Sequence, residues 1–158
     1  MSEPESCAEH ILCDLISSQD IKPFGSLRKA DHIVAIPTAF GTKRRIHGCT
    51  KHLMMISYEW EKGAMMPVHD HEVEQISYVL EGRMRVWIGD DEFIAEKGDS
   101  YVEPKRVGHG VEALERSVTI EVFTPPRPVF TILEMAAHHD LNGVYQGLKR
   151  AMEAEKQS

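Results

Sequence analysis

The chain has 158 residues, 42% of them hydrophobic, and a formal net charge of −7. That length suits one domain, which buries roughly 68–70% of its unfolded surface and needs no disulfide to hold a core. The acidic balance argues against a nucleic-acid partner, which requires a basic face, and no apolar run approaches the ~20 residues that span a membrane.

The opening, MSEPESCAEH, is acidic and has neither a basic segment nor an apolar run, so no signal peptide is expected. Cys7, Cys13 and Cys49 are odd in number and lack metal-type spacing, which fits a reducing, cytoplasmic setting. Ser6 and Glu9 have capping-box spacing, and Ile11, Leu12, Leu15 and Ile16 offer an apolar face, predicting a short helix over residues 6–16.

From about residue 30 to residue 124 the character changes to short β-prone runs: HIVAI, KHLMMISYEW, QISYVL, RMRVWIG, EFIAE, SYVEP and SVTIEVF. Turn signals separate them, among them Pro37, Gly41, Lys62-Gly63, Glu81-Gly82, Gly89-Asp90-Asp91 and Lys97-Gly98-Asp99. Strands at this spacing with no long helix between them predict an antiparallel sandwich or barrel. Arg44 and Arg45 precede the second run and read as a solvated charge run, with a place at a pocket mouth as the alternative. In RMRVWIG, Met84, Val86 and Ile88 alternate with Arg83, Arg85 and Trp87, and the arginine face is expected outward. Tyr78 and Tyr101 read as packing residues, and the methionines Met54, Met55, Met65 and Met66 as fillers of irregular core space.

TPPRP, residues 124–128, ends the sheet region, because proline cannot continue a central ladder. Beyond it Leu141, Val144, Tyr145, Leu148 and Met152 follow helical spacing behind a capping Asp140. The expected organisation is an N-terminal extension over 1–29, a barrel over 30–128 and a C-terminal extension with a helix over 129–158.

The stretch PVHDHEVEQISYVLEG, residues 67–82, carries the chemistry. Side chains two apart on a strand share a face, so His69 and His71 project together, followed on one face by Val73, Gln75, Ser77 and Val79. A third imidazole would close these two imidazoles and the amide oxygen into a metal site. His109, which follows the Pro104 turn and begins the next strand, has the setting that suits it best. Neutral ligands leave the full charge on a divalent ion, which favours Lewis-acid chemistry, whereas iron oxygenases more often use a histidine/carboxylate set. His10, His32, His47, His52, His138 and His139 lack a companion at ligand spacing and read as surface or turn residues.

The order Gly63, His69, His71, Gln75, Gly82 resembles the first motif of the cupin superfamily, with glutamine in place of its usual glutamate, and Gly98, Pro104, His109 resembles the second. Arg106 and Ala113 stand where that second motif carries glycine and often asparagine. The resemblance spans about residues 63–113 and implies an all-β double-stranded β-helix, or jelly-roll, barrel with a metal inside and short helical additions at both ends. The His-His-Gln-His set is similar to that of cupins that open unsaturated uronates during pectin degradation, and to that of some polyketide cyclases. In the uronate group the strand after the last histidine reads Asp-Val-Phe-Ser-Pro-Pro-Arg, and here it reads EVFTPPR, residues 121–127. The resemblance implies Glu121 as the acid/base carboxylate, Phe123 as a pocket wall and Arg127 as the clamp on a substrate carboxylate. Ser77 stands where that group carries a second glutamine.

Alternation leaves the placement of Glu121 open: Thr119, Glu121 and Phe123 share one face, and Val118, Ile120 and Val122 the other. With the valine and isoleucine face packed between sheets, Glu121 meets solvent; with it turned outward, Glu121 is a buried carboxylate. The expected function is a metal-dependent cupin enzyme performing non-redox proton transfer (ring opening, isomerisation or cyclisation) on a small carbonyl or sugar-acid substrate. The expected cofactor is a divalent metal ion, with nickel, zinc or manganese ahead of iron. An iron(II) dioxygenase and a non-catalytic binding cupin are the alternatives. The expected assembly is a homodimer, with residues 20–50 available for strand exchange.

Overall fold

The computed structural model describes residues 27–127, apart from Arg28, Val34, Ala39 and Lys51, together with Phe130. Both expected terminal helices lie outside the described residues.

Ten strands form two antiparallel sheets. A single turn of 3-10 helix at Ala30–His32 leads to β1 (Ile36–Pro37), β2 (Thr42–Cys49), β3 (Met54–Trp60), β4 (Met65–His69), β5 (Glu74–Glu81), β6 (Arg83–Ile88), β7 (Asp91–Glu96), β8 (Ser100–Glu103), β9 (His109–Ala113) and β10 (Ser117–Thr124). The larger sheet runs β1-β2-β3-β10-β5-β8 and the smaller β4-β9-β6-β7. The sheet region ends at Thr124, just ahead of Pro125 and Pro126.

Four expectations change. Met55 and Met65, expected in core space, are exposed. HIVAI contributes a helical turn and a two-residue edge strand in place of a full strand. Arg44 and Arg45, read as a charge run, lie within the eight-residue β2, because pairing with β3 overrides the low apolar content of TKRRIHGC. His71 lies past the end of β4, in the connection to β5, so strand alternation is not what turns it toward His69.

Register stacks the inward residues of the larger sheet in rows. One row runs Cys49, Met54, Phe123, Gln75, Glu103. The next runs Ile46, Ile56, Glu121, Ser77, Tyr101, and another runs Arg44, Tyr58, Thr119, Val79. Each of these side chains is buried. In β5 and β10 the ordinary polarity is inverted. Gln75, Ser77, Thr119 and Glu121 point inward, while Ile76, Tyr78 and Leu80 are exposed and Val118, Ile120 and Val122 are half-buried on the outer face. A half-buried strand normally turns its apolar face in, so an inverted strand marks an interior built for something other than packing.

The apolar core fills the other end, where Val79 and Trp60 of the larger sheet join Met84, Val86, Ala95 and Ala113 of the smaller. Met84 and Val86 are buried with the arginine face of β6 outward, as alternation predicts. Chain passes from one sheet to the other at Gly82, the single residue between β5 and β6, with φ of 84°. A Cβ there would stand 2.2 Å from Ser117 Oγ and 2.6 Å from the Arg116 carbonyl. Ser117 is itself pinned, accepting from the Arg83 N–H at 3.1 Å and donating to the Glu115 carbonyl at 2.9 Å.

Gly82→Ala is therefore expected to destabilise the fold by at least about 2 kcal/mol, combining left-handed strain with overlap against backbone. Gly98 also has a positive φ, 97°, but an added Cβ meets nothing within 4 Å. Gly98→Ala is expected to cost less, and denaturant midpoints of the two variants against the parent check the ordering.

Candidate metal centre and cavity

His69, His71 and His109 come together at the polar end of the barrel. Their ring centroids are 4.6 Å apart for His69–His109 and His71–His109, and 5.8 Å for His69–His71. One nitrogen of each lies within 4.8 Å of the other two. Strand pairing places His69 opposite His109. His71 is brought in by its loop: the Arg106 backbone N–H donates to the His71 carbonyl at 2.8 Å, tying the β4–β5 connection to the β8–β9 connection. Arg106 adopts φ of 62°, the left-handed conformation that glycine takes without cost. Its guanidinium holds the exposed Glu72 at 2.7 Å, which anchors the same two loops from outside.

Each imidazole is oriented through its Nδ1, which faces a backbone carbonyl: Pro67 at 2.8 Å for His69, Val73 at 2.9 Å for His71 and Val107 at 2.8 Å for His109. A carbonyl only accepts, so Nδ1 carries the proton and Nε2 presents a lone pair. Burial lowers the pKa of His71, and lowers that of His109 to about 4, so both rings are neutral at pH 7.

The fit of a metal follows from two observations. His109 Nε2 is buried and has no hydrogen-bond partner, a costly state for an isolated nitrogen. His71 Nε2 and Gln75 Oε1 stand 3.1 Å apart, and with Nδ1 protonated both are acceptors, a pairing that a shared cation would satisfy. The amide is held in that sense by its other end. Gln75 Nε2 donates to Ser77 Oγ at 3.1 Å, and Ser77 Oγ donates to Glu103 Oε2 at 2.6 Å. Four neutral donors, three imidazole nitrogens and one amide oxygen, suit a borderline divalent ion.

The site opens into a cavity of about 590 Å³ lined in part by His69, Gln75, His109, Glu103, Glu121 and Arg127. Glu121 is inside, buried, with its carboxyl facing Thr119 Oγ1 at 3.4 Å. Thr119 in turn accepts from Trp60 Nε1 at 3.0 Å. Burial first, and then repulsion from Glu103, raise the Glu121 pKa to about 8. Burial raises Glu103 to about 7, against hydrogen bonds from Ser77 and Gln75 that favour its ionised form. Arg127 lines the cavity beside Phe130, with its Cζ 4.7 Å from that ring centroid and 5.9 Å from Phe123.

Of the seven residues singled out in the sequence, His69, Gln75, His109, Glu121 and Arg127 line the cavity and His71 joins its two partner imidazoles and Gln75, whereas Phe123, expected as a pocket wall, is buried with its ring 6.1 Å from that of His71 and does not line the cavity. Three more belong with them. Glu103 follows Tyr101 at strand spacing in SYVEP and shares its inward face. Arg44 is buried, not solvated: Thr42, Arg44 and Ile46 alternate inward while Arg45 turns out to pair with Glu59. The inward Ile46 is the signal that sets this parity. Tyr58, opposite Arg44, completes the wall, its hydroxyl pushed up to about 12 by burial and by Glu121. Among the other histidines, His47 lies half-buried on β2 against Ser57 at 2.7 Å and His52 is exposed; His10, His138 and His139 fall outside the described residues.

The two raised carboxyls give the metal-free protein a pH signature. Folded, they stay protonated up to about 7 and about 8; their ordinary value is 4.5. The stability they contribute at low pH is lost as the pH climbs through those folded values. His109 acts the other way, losing stability as pH falls from 6.5 to about 4, and adds no slope above 6.5. Metal-free protein is expected to lose stability between about pH 6.5 and 8.5, and Glu121→Gln to lose less of it, by denaturant titration across that range.

Residues 57–123 match the family described as the cupin domain. The pectin degradation protein KdgF of Dickeya dadantii (strain 3937) is 39% identical over 92 residues, which is 57% of this chain and 84% of that protein. Among solved structures, KdgF from a Halomonas species superposes with a TM-score of 0.64 at 31% identity, covering 66% of this chain and 99% of that one. An RmlC-like cupin from Shewanella frigidimarina gives 0.65 at 29% identity, covering 67% of this chain and 96% of that one. With two facing sheets and both motif histidine sets gathered at one end, the chain belongs to the cupin family and is a relative of KdgF.

Proposed function

We propose that this protein is a metal-dependent enzyme that moves protons on a small sugar acid without net redox change, and that its substrate is an unsaturated uronate ring released during pectin breakdown. The observation that carries the reading is a buried carboxyl, Glu121, facing a cavity that also receives the His69–His71–His109–Gln75 donor set. Kinship to KdgF, a pectin degradation protein, supports the substrate class.

His69, His71, His109 and Gln75 would hold the ion, with nickel, zinc or manganese favoured by the neutral donors. A divalent ion there supplies Lewis acidity to a substrate oxygen. Glu121 handles the proton. A carboxyl whose pKa is raised to about 8 is poised near neutral pH to give a proton and take it back. The Trp60–Thr119–Glu121 line of contacts fixes its orientation. Arg127, which lines the cavity, offers its guanidinium to the substrate carboxylate. Ser77 and Glu103 act at one remove, keeping the Gln75 oxygen turned toward His71. The same reading includes a homodimer, with a second copy covering the exposed outer row of Met55, Ile76, Tyr78, Leu80 and Val102.

His109→Ala is expected to lose bound metal and turnover together. Glu121→Gln is expected to keep the metal and lose about 10²- to 10⁴-fold in kcat. Metal analysis of the purified proteins, with the loss of ultraviolet absorbance as an unsaturated uronate is consumed, checks both. Unchanged turnover in both variants overturns the reading, as does iron content with substrate-dependent oxygen uptake.

A further inference from the structure

Arg44 is 3% exposed, and its Nε and Nη2 have no hydrogen-bond partner. It lines the same cavity as Glu121 and Arg127. The guanidinium is covered on its flat side by Phe130, whose ring centroid is 4.1 Å from Cζ, and it reaches the hydroxyl of Tyr58, its neighbour across the β2–β3 ladder. Nε–H and one Nη2–H point the same way, along one edge of the guanidinium plane. That edge is a fork spaced for the two oxygens of a carboxylate. An arginine buried with this edge empty bears the cost of two undressed donors, and it sits against a ring that a second cation, Arg127, also approaches, at 4.7 Å. Two guanidiniums gathered at one aromatic ring make a cationic patch that suits an anion.

We infer that Arg44 is a substrate-binding residue whose Nε/Nη2 edge grips a carboxylate from the deep wall of the cavity, with Arg127 as the second cation of the same anion subsite. This rests on the sugar-acid reading for the identity of the carboxylate's bearer. It adds a specificity element on β2, a strand that carries none of the metal ligands. A planar carboxylate satisfies both orphan donors at once; a neutral ester or alcohol leaves at least one of them bare. The guanidinium is thus held ready for an acid, at the expense of the empty protein.

Binding of D-galacturonate and of its methyl ester to the full chain, followed by calorimetry, tests this in the parent, Arg44→Met and Arg44→Lys. The parent is expected to prefer the acid. Arg44→Met is expected to weaken the acid about 10- to 100-fold and to leave the ester within about twofold. Arg44→Lys keeps charge without the fork and is expected to recover only part of the loss. The ligand-free thermal midpoint of Arg44→Met is expected at or above the parent's, which also verifies folding. Equal binding of acid and ester by the parent overturns the inference, and so does undiminished acid affinity in Arg44→Met. Arg44-dependent acid preference in a protein that turns over no uronate sinks the proposed reaction and leaves this subsite standing. Uronate turnover with KM unchanged in Arg44→Met does the reverse.

Discussion

Three imidazoles crowded into one buried corner are tolerable only if none carries a charge and each is told which nitrogen to protonate. Here the backbone does both. The carbonyls of Pro67, Val73 and Val107 take the Nδ1 protons, and burial keeps His71 and His109 neutral, leaving Nε2 lone pairs converging on a common point. Every carbonyl involved is two residues from its histidine, so the tautomers are set locally while the convergence is set by strand pairing and by the loop contact from Arg106 to His71. Gln75 follows the same logic one step further out. Its amide is turned by Ser77 and Glu103, so that a fourth lone pair faces the third imidazole.

That arrangement dictates the polarity of the walls. β5 and β10 carry polar residues inward, and much of the apolar packing comes from Val79 with Met84, Val86, Ala95 and Ala113 of the smaller sheet, all buried. The apolar residues that alternate with the site residues are left on the outer surface. An inverted strand is the physical trace of a functional interior: alternation demands that whatever the lumen does not use must face out.

The cavity holds charge in an unsettled state. Glu103 and Glu121 retain protons, while Arg44 and Arg127 share one aromatic ring and two donors of Arg44 have no partner. Groups kept at such cost are recognised by what relieves them. In the proposed function a carboxylate would relieve Arg44 and a proton acceptor in the substrate would relieve Glu121, so that binding and proton transfer would draw on one imbalance, split between β2 on one side and β10 on the other.

Alternation, turn residues and motif spacing determined much of this protein before any contact was known. The run of short strands named an antiparallel β fold, and the resemblance of the double motif from Gly63 to His109 named the barrel and picked out His69, His71, Gln75 and His109. What local rules left undetermined was decided by pairing. Whether Glu121 met solvent or lumen depended on which face of β10 the neighbouring strands buried, and alternation alone is symmetric between the two. Arg44 and Glu103 were hidden because a charged residue on a short strand looks solvated until its ladder partner is known. Only the register with Tyr58 and Gln75 turned them inward. His71 lies beyond its strand, and its place in the cluster comes from a loop-to-loop hydrogen bond between residues 35 positions apart, His71 and Arg106, that no window of sequence contains.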